Sequence, residues 1–314
     1  MRRPGLPSWT LRAVQGAIAL GLLVLLWQVA GGEEAAQSLT SANPAWLAAA
    51  LAALTLQTVL SALRWRLTAA QLGITIDPRA ALREYYLSQV VNQSLPGGVL
   101  GDAERARRAR AQAGFLASGQ AVLFERLAGQ AGLFLCTATA FILTLALPGG
   151  VVWPDWLRAP VAGFVGLGLC LPFGFYAATR LDGRLGRGLR AFGAAMVTAL
   201  AARSVIVRQL LLSLATTACN LAAFAFCAEA VGHGLPPAAV AAFVPLILLT
   251  MLVPLTISGW GLREGAAAAL FPVAGASASG GLATSIVFGL MLIVSTLPGL
   301  LVLLGRRPDP VGSR

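Results

Sequence analysis

Apolar runs close to the length of one membrane crossing alternate with short polar stretches along this chain: Val14 to Ala30, Ala45 to Leu63, Phe115 to Leu147, Pro160 to Ala178, Val207 to Ala230 and Leu282 to Leu304. Uninterrupted apolar stretches of roughly 17 to 25 residues predict transmembrane helices. Two further segments have the composition of a crossing but are broken. From Ala81 to Leu95 a helix would reach only about 22 Å at 1.5 Å per residue, short of a hydrocarbon core of about 30 Å. It meets Pro96-Gly97-Gly98 and restarts at Asp102 as a basic helix. The stretch Ala238 to Phe271 is interrupted by VPLTISGWGLREG, Val253 to Gly265, and a short half-helix follows. Broken backbone at membrane depth is tolerated only where protein or a water-filled cavity surrounds it, because each unpaired amide otherwise costs several kcal/mol. Both breaks are therefore expected to line a site.

Composition excludes a soluble globular domain: 57% of the residues are hydrophobic and 11% charged, with a mean hydropathy of +0.78. The formal charge of +11, all of its basic side chains arginine, would suggest nucleic acid in a soluble domain. Here the arginines fall between apolar runs, which is the positive-inside pattern of a polytopic membrane protein, and no nucleic acid is expected. Arg64 and Arg66, Arg79 and Arg83, the cluster Arg105 to Arg110, and the series from Arg180 to Arg190 mark cytoplasmic segments, as do Arg306 and Arg307. Arg203 and Arg208 anchor the start of their span. Glu33 and Glu34, the tryptophans Trp153 and Trp156, and the lone His233 mark outside loops, and Phe192 to Val205 reads as an interfacial helix. A basic start before Val14 also fits a signal peptide cut near Ala30, but the arginine-free acidic stretch after it favours a retained span. Cys136, Cys170, Cys219 and Cys227 lie in apolar runs without metal-ligand spacing and are expected to be buried small side chains.

The predicted fold is an all-α polytopic membrane protein of about six full spans plus two re-entrant helical hairpins. Its order is span, span, hairpin from inside, span, then span, span, hairpin from outside, span: an inverted repeat with halves of roughly 13–147 and 160–304 in one membrane domain. In each break a proline precedes a glycine by the same spacing, Pro96 to Gly101 and Pro254 to Gly259, with an acid and an arginine close behind.

Half-helices starting near Asp102 and Leu262 would present free amides and a positive dipole end, an environment suited to phosphate. Arg105 and Arg263 fall in their first turns, within reach of a phosphate oxygen. Asp102 can equally be an N-cap and Arg105 a snorkelling cytoplasmic charge. Arg263 and Glu264 sit deeper, where an unpaired charge costs at least about 2.5 kcal/mol. They are expected to pair with Glu125 and Arg126 or with the first break. Glu125 and Arg126 are adjacent, so on a helix they point about 100° apart and each must find its partner elsewhere. One histidine in the chain leaves no histidine dyad, and no zinc spacing or Gly-rich phosphate loop appears. Asp102-Ala103-Glu104 matches the paired acids of a metal-dependent glycosyltransferase only as a short acid-x-acid motif. No catalytic residue, metal or cofactor is expected.

Three stretches, NQSLPGGVLGDAER, FERL at Phe124 to Leu127, and PLTISGWGLREG, resemble the lysylphosphatidylglycerol synthase transmembrane region family, also called flippase-like domain proteins. The first is similar to that family's Asn-x-x-x-Pro-Gly-x-x-Gly-Gly-Asp-x-x-Arg pattern, with Leu100 where the first glycine of Gly-Gly-Asp stands. The resemblance implies that Asn92, Pro96, Gly97, Gly101, Asp102, Arg105, Glu125, Arg126, Pro254, Gly259, Gly261, Arg263 and Glu264 occupy substrate-binding motif positions. It also implies lipid flipping in a bacterial inner membrane, while the arginine placement puts both termini on the cytoplasmic side. The chain ends soon after Leu304, so the aminoacyl-transfer activity in the family name is not expected.

The leading reading is a translocase for an anionic or phosphate-bearing lipid, either a membrane phospholipid or an isoprenoid-linked lipid. An accessory subunit of a lipid, glycan or hopanoid pathway, bound to a biosynthetic enzyme, and a membrane-embedded transferase are the alternatives. A homodimer is compatible with each.

Overall fold

The computed structural model describes residues 8–94, 100–146 and 151–304. Over these residues the chain is helical: α1 (Ser8–Val29), α2 (Gly32–Thr40), α3 (Pro44–Gln71), α4 (Pro78–Ser94), α5 (Leu100–Ala146), α6 (Asp155–Thr179), α7 (Gly183–Ala201), α8 (Ile206–Ala230), α9 (Pro237–Leu249), α10 (Leu262–Leu270) and α11 (Ala278–Leu304). Five of them, α3, α5, α6, α8 and α11, are long and apolar enough to cross a membrane. Counted as one broken span, the pair α1 and α2, bent by 95°, brings the number to six. The protein is thus an all-α polytopic membrane protein.

The first hairpin is α4 and the opening turns of α5. Gly114, at φ 81° and ψ 171°, breaks the helical path inside α5, so the arm before it and the span after it can differ in direction. Gly101 lets the two arms meet closely: a Cβ there would collide with the Ser88 carbonyl oxygen. The second hairpin is α9 and α10, joined through 3-10 turns at Thr250–Leu252 and Ile257–Gly259. Within the join, Ser258 has a φ of 50°, and Gly259 and Gly261 also lie at positive φ.

The two halves exchange partners. α3 packs most extensively on α8; α4 packs on α11 as α9 packs on α5; α3 meets α5 as α8 meets α11; and α2 lies on α11 as α7 lies on α5. The backbone amide of Asn43 donates to the Ala230 carbonyl at 2.8 Å, and Gln209 Nε2 reaches Thr68 Oγ1 at 2.9 Å. The start of α3 therefore lies beside the end of α8, and these equivalent helices run antiparallel. A two-fold relation between antiparallel equivalents has its axis across the helices, which is the geometry of an inverted repeat.

Several local expectations change. The second span does not stop at Leu63: α3 continues to Gln71, so Arg64 and Arg66 are inside a helix and Arg64 is buried. The outside segment after α1 contains the helix α2, and of the cytoplasmic arginine series Arg184, Arg187 and Arg190 lie in the first half of α7. Trp153 is a core side chain, packed edge-on against Phe141 and Phe243 and donating to Thr144 Oγ1 at 2.7 Å. Trp156 stays exposed. Of the cysteines, Cys227 is buried, Cys136 and Cys219 are half-buried, and Cys170 faces outward from α6. Arg306 and Arg307 lie outside the described residues.

Candidate functional site

Five charged side chains converge where the first hairpin meets α3 and the span of α5. Arg126 is paired with Asp102. Arg105 Nη2 lies 3.1 Å from Asp102 Oδ1 and 3.4 Å from Glu125 Oε2. Arg64 Nη2 donates to Glu125 Oε1 at 2.8 Å, and its Nη1 donates to Thr216 Oγ1 at 2.8 Å. The result is an alternating chain, Arg126, Asp102, Arg105, Glu125, Arg64, that begins and ends on arginine. Neutral donors complete the carboxylates: Ser88 Oγ donates to Asp102 Oδ1 at 2.7 Å and the Tyr85 hydroxyl to Glu125 Oε1 at 3.3 Å. The Arg105 guanidinium is also held between the rings of Trp65 and Tyr85, 4.5 and 4.6 Å from their centroids. Pairing on this scale is what lets charges persist in an apolar bundle, where each alone would cost several kcal/mol.

These residues come together for local reasons. Asn92 ties the hairpin arms by accepting from the Gly101 amide at 2.8 Å. Asp102 and Arg105, three apart, share a face of the first α5 turn, and so does the half-buried Glu104 with the exposed Arg107. As adjacency requires, Glu125 and Arg126 have different partners. Gly129 leaves room for Arg64, since a Cβ would press on Nη2 at 2.9 Å.

The cluster borders a cavity of about 300 Å³ between α3, α4, α5, α8, α11 and the second break. Of the residues singled out in the sequence, Asn92, Asp102, Glu125 and Arg126 line it. Arg105 is behind that wall, and Gly101, Pro254, Gly259, Gly261, Arg263 and Glu264 are not part of the lining. Pro96 and Gly97 lie outside the described residues. Leu100, in the place of the family glycine, is exposed and absent from the lining.

Arg263 and Glu264 form a separate, self-contained knot. Arg263 Nη2 donates to Glu264 Oε1 at 2.6 Å, and the two share Ser285, whose hydroxyl donates to the same Oε1 at 2.9 Å. Glu264 Oε2 accepts from the Gly261 amide at 2.6 Å, capping α10. The expected pairing with Glu125, Arg126 or the first break does not occur. Glu264 turns back over its own helix start, and Arg263 reaches the same carboxylate from the next position. The two breaks do touch elsewhere: the Ser258 hydroxyl donates to the carbonyls of Asn92 and Gln93 at 3.2 and 3.4 Å. Gln15 of α1 supports the second break by donating to the Pro254 carbonyl at 3.0 Å.

Sequence reasoning missed Arg64, Tyr85 and Trp65. Arg64 follows an apolar run directly, so it looked like an exit anchor. The available signal was that Leu67 to Gln71 continues with no proline or glycine to end the helix. Among the described residues no group of three or more potential side-chain ligands is placed to hold a metal. No curated protein matches the chain. Residues 12–299 match the model of the lysylphosphatidylglycerol synthase TM region, and the chain belongs to that family.

Proposed function

We propose that this protein carries an anionic, phosphate-bearing lipid headgroup across a bacterial plasma membrane through the cavity between its two hairpins. One observation supports this reading above the others: the alternating charge chain ends on Arg126 and Arg64, and both line the cavity. Arg126 is the most exposed member, with 36% of its side chain accessible. It would exchange Asp102 for a phosphate oxygen, while Arg105, held by two rings and two carboxylates, acts as a positioning residue. The carboxylates that reclaim the arginines keep binding reversible, since a conducting site must release what it binds. No nucleotide-binding loop occurs in the sequence, so transport would be passive or ion-coupled. By the positive-inside rule the end carrying Arg79, Arg83 and Arg107 would face the cytoplasm, as would both termini.

Reconstitution into phosphatidylcholine vesicles with tail-labelled phosphatidylglycerol tests this. The wild-type chain should accelerate exchange between leaflets, and Arg126→Gln should slow it by about tenfold, the equivalent of one charge-assisted hydrogen bond. Exchange no faster than in empty vesicles, or unchanged by that substitution, overturns the reading.

A further inference from the structure

The second break borders the cavity through Ser258 and turns another side toward α1. We propose that Gln15, Pro254 and Thr256 on that side hold a monovalent alkali cation, and that this ion controls lipid exchange. The ion site stands on its own geometry; its effect on exchange rests on the headgroup-carrying reading.

Buried oxygens without partners mark the site. α1 runs along the break: a Cβ on Gly261 would meet Leu22 Cβ at 2.7 Å, and one on Gly16 would lie 3.8 Å from Ile257 Cδ1. On this helix Gln15 is 8% exposed, and its Nε2 donates to the Pro254 carbonyl at 3.0 Å. That bond settles which end of the carboxamide is which, because a carbonyl only accepts and the nitrogen only donates. Gln15 Oε1 is therefore left over, and it is buried with no hydrogen-bond partner among the described residues. Two residues beyond Pro254, Thr256 is 2% exposed and its hydroxyl is unpartnered as well. The Pro254 oxygen keeps a second lone pair. Burying such oxygens unpaired is unfavourable, so they call for a ligand.

Acceptors predominate, and that selects the ligand. Gln15 Oε1 and the Pro254 carbonyl cannot donate, and the carboxamide nitrogen of Gln15 is already engaged. A hard cation binds several such oxygens at once. The C-terminal end of α9, extended by the 3-10 turn Thr250–Leu252, brings its partial negative charge to the break. Unwound carbonyls and half-helix C-terminal ends are the places where inverted-repeat transporters coordinate sodium. Charge then sets the valence. Glu264, the carboxylate of this break, is bound to Arg263, Ser285 and the Gly261 amide. None of the three ligands is acidic, whereas a divalent ion asks for carboxylates.

A short path joins the ion to the cavity. Two positions after Thr256, the Ser258 hydroxyl donates to the Asn92 and Gln93 carbonyls, and all three of these residues line the cavity. An ion that fixes the chain at 254–256 thereby fixes the contact between the two breaks, and exchange through the cavity responds to it.

Binding of radioactive sodium to the purified protein in choline chloride decides it. Saturable binding of a single ion per chain is expected, unmoved by equimolar magnesium, with a melting temperature about 3 °C higher in sodium than in choline. Thr256→Val keeps the shape and removes the hydroxyl; it should weaken binding about tenfold, and Thr256→Ser should restore it. Gln15→Leu should abolish binding, and where that variant fails to fold the Thr256 pair carries the test. No saturable binding, undiminished affinity in Thr256→Val, or displacement by equimolar magnesium overturns the inference. In the vesicle assay sodium should speed wild-type exchange about tenfold over choline. Sodium binding without any lipid exchange supports the ion site and removes the translocase reading. Exchange equally fast in sodium and choline leaves that reading in place and overturns control by the ion.

Discussion

The two breaks occupy equivalent places in an inverted repeat, share the proline-to-glycine spacing and each carry an acid and an arginine, yet they use those charges differently. At the second, Arg263 and Glu264 neutralise each other, Ser285 closes the knot, and both are buried away from the cavity. At the first, the acid and arginine are joined by Arg64, Glu125 and Arg126 from neighbouring segments, in a chain that ends on arginine at a cavity. A neutral closed pair holds a backbone break in shape; an open chain ending on arginine can recruit an anion. The two breaks share one spacing, and packing gives the second a closed pair and the first an open chain beside a cavity.

Substitutions can break this comparison. Glu125→Gln removes the carboxylate between two buried arginines and should cost about 3–5 kcal/mol, read as loss of folded protein and a large fall in detergent melting temperature. Glu264→Gln should also destabilise, by about 3 kcal/mol, through Arg263 and the cap on Gly261. Lipid retention per folded molecule in native mass spectrometry should nevertheless stay within about twofold, because ordinary non-cavity substitutions leave distant contacts additive. A tenfold loss of retention in Glu264→Gln would mean the second break reaches the ligand and would end the division of labour.

Gly101→Ala should cost about 1–3 kcal/mol by wedging the first hairpin apart at the Ser88 carbonyl. Gly114 has open space around its Cα but a positive φ, so Gly114→Ala tests backbone conformation in place of packing. The smallest expected effect is Ser258→Ala, about 1 kcal/mol for the hydroxyl that links the two breaks. Thermal unfolding in detergent measures all three. A Ser258→Ala loss as large as that of Glu125→Gln would shift the centre of the molecule from the charge chain to the junction of the breaks.

Much of the fold was legible because its determinants are local. Apolar length and arginine placement follow from the cost of moving polar groups into hydrocarbon, and that cost is paid residue by residue. The site was only partly legible. Asp102, Arg105, Glu125 and Arg126 were visible as motif residues, but their partners were not. Arg64 enters the cluster because α3 runs eight residues beyond Leu63, to Gln71, and Gly129 leaves space for its guanidinium. Trp153 likewise read as interfacial until Phe141 and Phe243 enclosed it.

Crossing number, helical class and the location of both breaks are thus written in the order of residues along the chain, since each depends on hydropathy and on proline and glycine over a short window. Which arginine meets which carboxylate is not. The pairings of Glu125 with Arg105 and with Arg64 join residues 20 and 61 positions apart, and such a partner is set by how helices pack. Only the tertiary structure could decide that Arg263 and Glu264 cancel each other while Arg126 and Arg64 reach a cavity.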